Sequence, residues 1–396
     1  MKTRETLVVT DPITAEAIEL LEKLVAFDSE SDKSNLPLID FVEGRLRERG
    51  VEILRAPSKD GEKAALLATI GPKVGGGIVL SGHTDVVPVV DQQWSGDPFK
   101  LRAEGGRLYA RGACDMKGFD AIALAMIPYF QAANLRRPVH ILLSYDEETT
   151  CLGSLDIIDR FGKDLPRPAA VIVGEPTMMA VVDAHKSIAT FWTKVVGVEA
   201  HSSNPALGAN AVAAACEIVA EIYRLADSYE AAAARNPRFD PPYSTLHVGT
   251  IRGGTARNIL ARECAFHWEF RGVPGDSMKV ALQRVEDYVE RVALPRLTRH
   301  IRGPRVDTCV EVDVPGLLAE PGSAAETLAL KLAGSNRTRA AAFATEAGQF
   351  QSAGLPTIVC GPGSIEQAHK PDEFIEQSQI EACVGFMRRL AEELAR

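Results

Sequence analysis

Five short runs constrain the fold of this chain more than any other feature: AALLATI (64–70), GIVLSGH (77–83), RLYARGA (107–113), VHILLSY (139–145) and AAVIVGE (169–175). They are largely apolar and lack the in–out alternation of a half-exposed strand, so the sheet they form must be covered on both faces. Helical spacing supplies the cover. Ile13, Ala17, Ile18, Leu21, Leu24 and Val25 predict a helix over 14–26, a second is predicted over 36–49 with its stop at Gly50, and a third over 118–135. Strands alternating with helices in this way imply an α/β fold with a largely parallel sheet and helices on both faces.

The pattern changes near residue 186. SIATFWTKVVGVE (187–199) alternates like a strand with one wet face, an Ala-rich helix is predicted over about 208–225, and STLHVGTIRGG (244–254) and CAFHWEFRG (264–272) alternate again. A helix over about 277–292 and the strand CVEVDVPG (309–316) complete a βαββαβ order, the α+β ferredoxin-like arrangement. Residues 187–315 therefore read as an inserted domain. The rest, with a helix at 323–334, the strand PTIVC (356–360) and a terminal helix from about 377, returns to the first type, so the first domain is discontinuous, 1–186 and 316–396.

Bulk properties exclude several classes. A chain of 396 residues suits two or three domains; its net charge is −9 and no Lys/Arg cluster rises above a solvated helix face, so nucleic acid is not an expected partner. The N-terminal MKTRETLVVTDPITAEAIELLEKLVAF has no uninterrupted apolar leader core, and no run approaches the 18 apolar residues of a membrane span, from which a cytoplasmic protein with no membrane partner is expected. Seven cysteines, at 114, 151, 216, 264, 309, 360 and 383, form no CxxC pair. That argues against a disulfide framework and a thiolate zinc site, and small core residues are expected instead.

Polar residues gather at the C-terminal ends of the apolar runs. SGHTDVVP carries His83 and Asp85, RLYARGACDMKG carries Asp115, SYDEE carries Asp146, Glu147 and Glu148, VGEPT carries Glu175, and PTIVCGPGSIEQAHKPDEF carries His369. Open α/β sheets place their sites at that edge. Taken singly, an acid after a strand is a helix cap or a turn residue, and DEE is a solvated turn. Several in register call for a cation, because adjacent buried carboxylates repel one another. Two imidazoles and several carboxylates without a thiolate suit zinc, cobalt or manganese, and there are more candidates than one tetrahedral ion uses. A pair of divalent ions bridged by one carboxylate, holding a water acidified to near-neutral pH, is the economical reading. Glu148 is then a ligand, Glu147 the base that takes the water's proton, and Asp146 is left without a role.

In these residues the chain resembles the zinc aminoacylase and carboxypeptidase family of co-catalytic metallohydrolases. SGHTDVVP, W…DPF, GRLYARGACDMKGF, DEE, GEPT, EAHSS and GPGSIEQAHKPDEF match in order from about 80 to 376, and GACDMKG, GEPT and GPGSIEQAHKPDEF point to its acetylornithine deacetylase branch. The resemblance implies that His83 and Glu175 bind one ion and Glu148 and His369 the other, with zinc or cobalt bridged by Asp115. It also implies that Asp85 hydrogen-bonds His83 and fixes its tautomer, that Glu147 is the general base, and that the inserted domain is a lid that dimerises and brings His201 to the scissile carbonyl. The chain departs from the pattern at Thr149 and Thr150 after DEE, at Ser187 after AHK, and at Arg257 and Ala261 in GGTARNILARE.

The implied reaction is hydrolysis of an N-acyl amino acid, N2-acetyl-L-ornithine first, to acetate and the free amino acid. Other N-acetyl or N-succinyl amino acids, or a dipeptide, would use the same metal site, and a catalytically silent metal-binding scaffold is the rival from another class. A Ser or Cys hydrolase is disfavoured because no GxSxG occurs. For the substrate, Glu346 in AAFATEAGQF is expected at the rim of the crevice facing a cationic side chain, with helix capping as the alternative. Arg271, together with Arg257 and Asn258, is expected to hold the α-carboxylate through paired donors.

Overall fold

A computed structural model describes residues 9–232 and 235–396. The first eight residues of the N-terminal stretch read above lie outside it. Two compact units are present: one comprises residues up to Ala184 with Leu317–Ala340 and Thr345–Arg396, the other His185–Gly316 with Ala341–Ala344.

The described residues include fifteen strands: β1 Glu52–Pro57, β2 Ala64–Ile70, β3 Ile78–His83, β4 Arg102–Glu104, β5 Arg107–Tyr109, β6 Val139–Ser144, β7 Ala170–Pro176, β8 Val182–His185, β9 Ser187–Val196, β10 Thr245–Gly253, β11 Glu263–Gly272, β12 Arg305–Val314, β13 Arg339–Ala341, β14 Thr357–Gly361 and β15 Phe374–Glu376. Eight form one sheet in the order β1-β2-β6-β3-β7-β14-β8-β13. Its centre, β6-β3-β7-β14, is parallel, whereas β1/β2, β2/β6 and β14/β8 pair antiparallel. Every residue of β3, β6, β7 and β14 is buried, as their largely apolar composition implies.

RLYARGA departs from expectation. Only Arg107–Tyr109 is a strand, and it sits in a separate antiparallel sheet, β15-β5-β4. Its polar Arg107 and Arg111 break the apolar run, and the three residues are too few to span the main sheet. The helix read over 118–135 is also two helices, Lys117–Ala125 and Ile127–Ala132, joined at Met126. Pro128 explains the break, since it lacks the N–H of a helix interior and tolerates only a first turn. At the N-terminus the helix Pro12–Val25 begins two residues earlier than its apolar spacing suggests, because Asp11 caps it by accepting Thr14 N–H at 3.0 Å.

The second unit holds a four-stranded antiparallel sheet, β10-β11-β9-β12. Along β9, Ala189, Phe191, Thr193 and Val195 are buried and alternate with less buried residues. On that face Phe191 stacks on its cross-strand partner Trp268 at 3.9 Å, and Trp268 Nε1 donates to Thr193 at 3.0 Å. The helix Ala211–Ala231 extends beyond its predicted end and buries Ala211, Ala214, Ala215, Ile218, Ile222 and Leu225 along one face. The helix predicted to end near 292 is regular only over Met278–Tyr288, after which a π-turn spans Val289–Ala293. All seven cysteines are free; five are buried, but Cys216 and Cys309 are exposed and so are not core residues. No helix of the described residues is long and apolar enough to cross a membrane.

Candidate metal centre

The parallel strands end together. His83 closes β3 opposite Ser144 of β6, and Gly361 of β14 lies opposite Pro176 of β7, next to Glu175. Asp115 follows β5 in the loop that enters the helix Lys117–Ala125, and His369 follows β14. This edge brings together the five residues expected as ligands. His83 Nε2 lies 3.2 Å from Asp115 Oδ1 and 3.8 Å from Glu175 Oε1; His369 Nε2 lies 2.9 Å from Glu148 Oε2 and 3.4 Å from Asp115 Oδ2. The result is two clusters, His83–Asp115–Glu175 and Asp115–Glu148–His369, each with ligand atoms within 4.8 Å of one another and both using Asp115.

The electrostatics of the cluster suit cations. Burial pushes Glu147 up to about 8 and Glu148 to about 7, and drives Glu175 well above the carboxylate range, with neighbouring carboxylates adding to each. Hydrogen bonds donated to the Asp115 and Glu148 carboxylates raise His369 to about 10. Burial opposes the charged form of His83, yet the Asp115 and Asp85 carboxylates hold its imidazole well above its ordinary range. Burial likewise opposes the Asp115 carboxylate, but hydrogen bonds from both imidazoles bring it below its ordinary value. Glu148 Oε1 and Glu175 Oε1 are buried with no hydrogen-bond partner, an arrangement that costs several kcal/mol per charge, roughly, unless a cation neutralises it. Imidazole and carboxylate donors without thiolate fit zinc or another borderline divalent ion.

The three acids of the DEE turn have three fates. Asp146 adopts φ 56° and pairs with Lys63, whose Nζ also donates to the Ser31 carbonyl at 2.5 Å. Glu148 faces His369. Glu147 lies between them, with Cys151 Sγ 3.4 Å from its Oε1. Gly153 closes this turn, because a Cβ there would lie 1.8 Å from the Tyr145 carbonyl oxygen.

Asp85 acts differently from expectation. His83 Nδ1 donates to the Asp85 backbone carbonyl at 2.9 Å, while the carboxylate stands at 3.6 Å. The carboxylate instead accepts Ser31 Oγ at 2.7 Å and the backbone N–H groups of Glu147 and Glu148 at 3.1 and 3.3 Å, so it shapes the DEE turn.

Glu346 is not at a rim. It is 1% exposed and accepts Ser81 Oγ at 2.5 Å, two residues before His83, and burial raises its carboxyl despite that bond. It makes no capping bond to the helix Ala347–Ser352 either. Both expectations for Glu346 are corrected: its carboxyl is buried against the hydroxyls of Ser81, Ser144 and Ser154, where its spacing from PTIVC suggested an open edge.

The second unit gathers the other expected residues. His201 forms an isolated bridge with Ile259, and Ser202 N–H donates to the Asn258 carbonyl at 3.0 Å. The His201 imidazole is exposed, and its Nδ1 lies 2.8 Å from Ser203 Oγ. Arg257 is exposed beside Asn258, while Arg271 on β11 is paired with Glu269 at 3.1 Å.

Several residues escaped sequence reasoning: Lys63, Ser31, Gln92, Arg111, Cys151 and Glu373 all support the site. Glu373, four residues after His369 in AHKPDEF, and Arg111, four residues before Asp115 in RLYARGACDMKG, carried a positional signal.

The model of peptidase family M20/M25/M40 matches residues 79–393. The chain belongs to that family. This M20 member is 35% identical over 383 residues to an acetylornithine deacetylase of Proteus mirabilis, spanning 95% of this chain and 96% of that protein. It is 34% identical over 386 residues to an acetylornithine deacetylase of Yersinia pestis, with 95% and 96% coverage. In fold it is similar to a tripeptidase of Staphylococcus aureus, with TM-score 0.77, 18% identity and coverage of 97% and 99%, and to an M20 family metallo-carboxypeptidase of Sulfolobus solfataricus, with TM-score 0.74, 18% identity and coverage of 96% and 99%.

Proposed function

We propose that this M20 member hydrolyses the amide of an N-acetylated amino acid, N2-acetyl-L-ornithine first, releasing acetate and ornithine. The observation that carries amide hydrolysis is the pair of ligand clusters sharing Asp115, with Glu147 beside them and outside both. The deacetylases of Proteus mirabilis and Yersinia pestis, similar over nearly the whole chain, support the choice of substrate.

His83, Asp115 and Glu175 would hold one divalent ion and Asp115, Glu148 and His369 the other, zinc for preference and cobalt as a substitute. Two bound ions supply Lewis-acid charge that acidifies water and polarises an amide carbonyl. Glu147 accepts the proton of the attacking water at its carboxylate and returns it to the departing amine nitrogen. Its carboxyl is buried beside both clusters and belongs to neither, which leaves it free to make those two transfers. His201, exposed on the second unit, is proposed as donor to the developing oxyanion. Arg271, Arg257 and Asn258 are proposed to bind the substrate α-carboxylate, which for Arg271 requires exchanging its Glu269 partner. We also propose that the second unit is a lid that dimerises and that the protein works in the cytoplasm as part of arginine biosynthesis.

Initial rates on a panel of N2-acetylornithine, N-acetylmethionine, N-succinyl-diaminopimelate and a dipeptide test this reading. A kcat/KM for N2-acetylornithine at least tenfold above the others is the expected outcome. Preference for the dipeptide or the succinyl substrate would replace it.

A further inference from the structure

Behind the ligands, a hydrogen-bonded layer ties two loops together that are distant in sequence: 110–115, which carries Asp115, and 369–373, which begins at His369. Glu373 and Arg111 form its centre, with both side chains 1% exposed and 2.8 Å between Nη1 and Oε2. A carboxylate offers about four acceptor positions. All are used here: Oε1 accepts the N–H groups of Cys114 and Asp115 at 2.8 and 3.0 Å, and Oε2 accepts Gly112 N–H at 3.0 Å in addition to Arg111. The backbone of Asp115 is thereby fixed through its own N–H.

Arg111 passes this order onward. Its Nη2 donates to Gln92 Oε1 at 2.6 Å, and Trp94, whose ring centroid lies 5.0 Å from the guanidinium, donates its indole N–H to the same oxygen at 3.2 Å. Two donors on one oxygen orient the Gln92 amide, since the reversed amide would set N–H against N–H. The amide nitrogen is thus left to donate to the His369 backbone carbonyl at 3.1 Å. His369 needs such restraint. It has φ 63°, a conformation that costs a side-chain-bearing residue free energy, and its imidazole is 54% exposed.

We propose that Glu373 and Gln92 are positioning residues for the ion centre, Glu373 fixing the shared Asp115 and Gln92 fixing His369. The proposal rests on the assignment of His83, Asp115, Glu148, Glu175 and His369 as ion ligands. Because Asp115 belongs to both clusters and His369 to one, the two residues leave different signatures. Gln92→Ala weakens one ion of the pair about tenfold and leaves the other unchanged; Glu373→Gln, which puts an amide N–H against the loop's donors, weakens both, by about a hundredfold at the stronger end.

The test is equilibrium dialysis of the full chain against a series of buffered free zinc concentrations, with bound zinc measured by elemental analysis, thermal unfolding alongside, and the visible spectrum of the cobalt-loaded protein as a report on ligand geometry. The expected result for Gln92→Ala is one weakened ion with an unchanged melting temperature and an altered cobalt spectrum. If both ions are unaffected in Gln92→Ala, or both weaken alike, the proposal is overturned. A folded Glu373→Gln chain that keeps both wild-type affinities overturns it as well, and if that chain does not fold, Gln92→Ala decides alone. Wild-type protein that binds fewer than two ions would instead overturn the ligand assignment beneath the proposal, a result distinct from any variant's.

Discussion

His369 Nε2 lies 2.9 Å from Glu148 Oε2, yet the imidazole is 54% exposed and the carboxylate side chain 6%. The opposite cluster has no such asymmetry, since the side chains of His83 and Glu175 are 1% and 4% exposed. Exchange of an ion requires water or a chelator to reach its ligands, so the two positions should empty in order. Stepwise chelation is expected to remove the ion of Glu148 and His369 first, leaving an intermediate with one ion per chain. Residual zinc per chain against chelator exposure checks this, and His369→Ala should match the intermediate's stoichiometry.

Glu147 belongs to neither ligand cluster. Glu147→Gln is therefore expected to keep wild-type metal content while kcat falls by roughly 10²–10⁴. Metal analysis beside steady-state kinetics decides it; retention of more than about a tenth of kcat would remove Glu147 from the proton transfers.

His201→Ala should likewise bind metal normally. Losing one donor to an oxyanion lowers kcat by about 10²–10³, with KM little changed. A variant with unaltered kcat would show that the exposed imidazole takes no part.

For Glu346, burial against Ser81 replaces substrate contact as the basis of prediction. Ser81→Ala leaves a buried acid short of a donor, at a cost of about 1–3 kcal/mol, measurable by urea denaturation. Glu346→Gln is expected to change KM for N2-acetylornithine and N-acetylmethionine by the same factor. A selective loss on N2-acetylornithine would restore a direct role in recognising the cationic side chain.

His140 makes stability depend on pH. The residue is buried, Thr69 Oγ1 lies 2.9 Å from its Nδ1, its Nε2 has no partner, and burial brings its imidazole down to about 4. Below the unfolded value of about 6.5 the unfolded chain takes a proton that the folded chain refuses. Stability therefore falls as pH drops from about 6.5 towards 4, by about 2 kcal/mol between pH 7 and 5 from this group. Denaturation of wild type and His140→Leu at both pH values isolates it: the variant should lose that much less.

The strands that carry the site were legible because burial on both faces leaves no freedom in composition. Apart from His140, VHILLS and AVIVGEP carry only apolar or small residues until the strands end, and the acids that form the site stand at or just beyond those ends. Glu346 was misplaced because position after a strand predicts an edge but not depth; Ser81, the residue that stabilises it, lies far away in sequence. Lys63 and Arg111 were missed for a similar reason. Each answers a carboxylate from another segment, Asp146 or Glu373, and no local pattern joins such pairs. The split at Met126 could be read from Pro128 alone, whereas the isolation of β5 from the main sheet depends on pairing with β15, which follows it by most of the chain.

The second unit interrupts the first between Ala184 and Leu317, and this has a consequence for synthesis. His83, Asp115, Glu148 and Glu175 leave the ribosome before the interruption and His369 after it. For the whole time the intervening unit is being made, a nascent chain holds four of the five proposed ligands without the last, and β7 without its neighbour β14. One cluster is compositionally complete during that interval and the other is not. On the proposed ligand assignment, capture of the ion of Glu148 and His369 would be a late event that coincides with insertion of β14 and closure of the sheet. Metal supply would then act on the last stage of folding, and a chain stopped anywhere short of residue 369 would be unable to pass it.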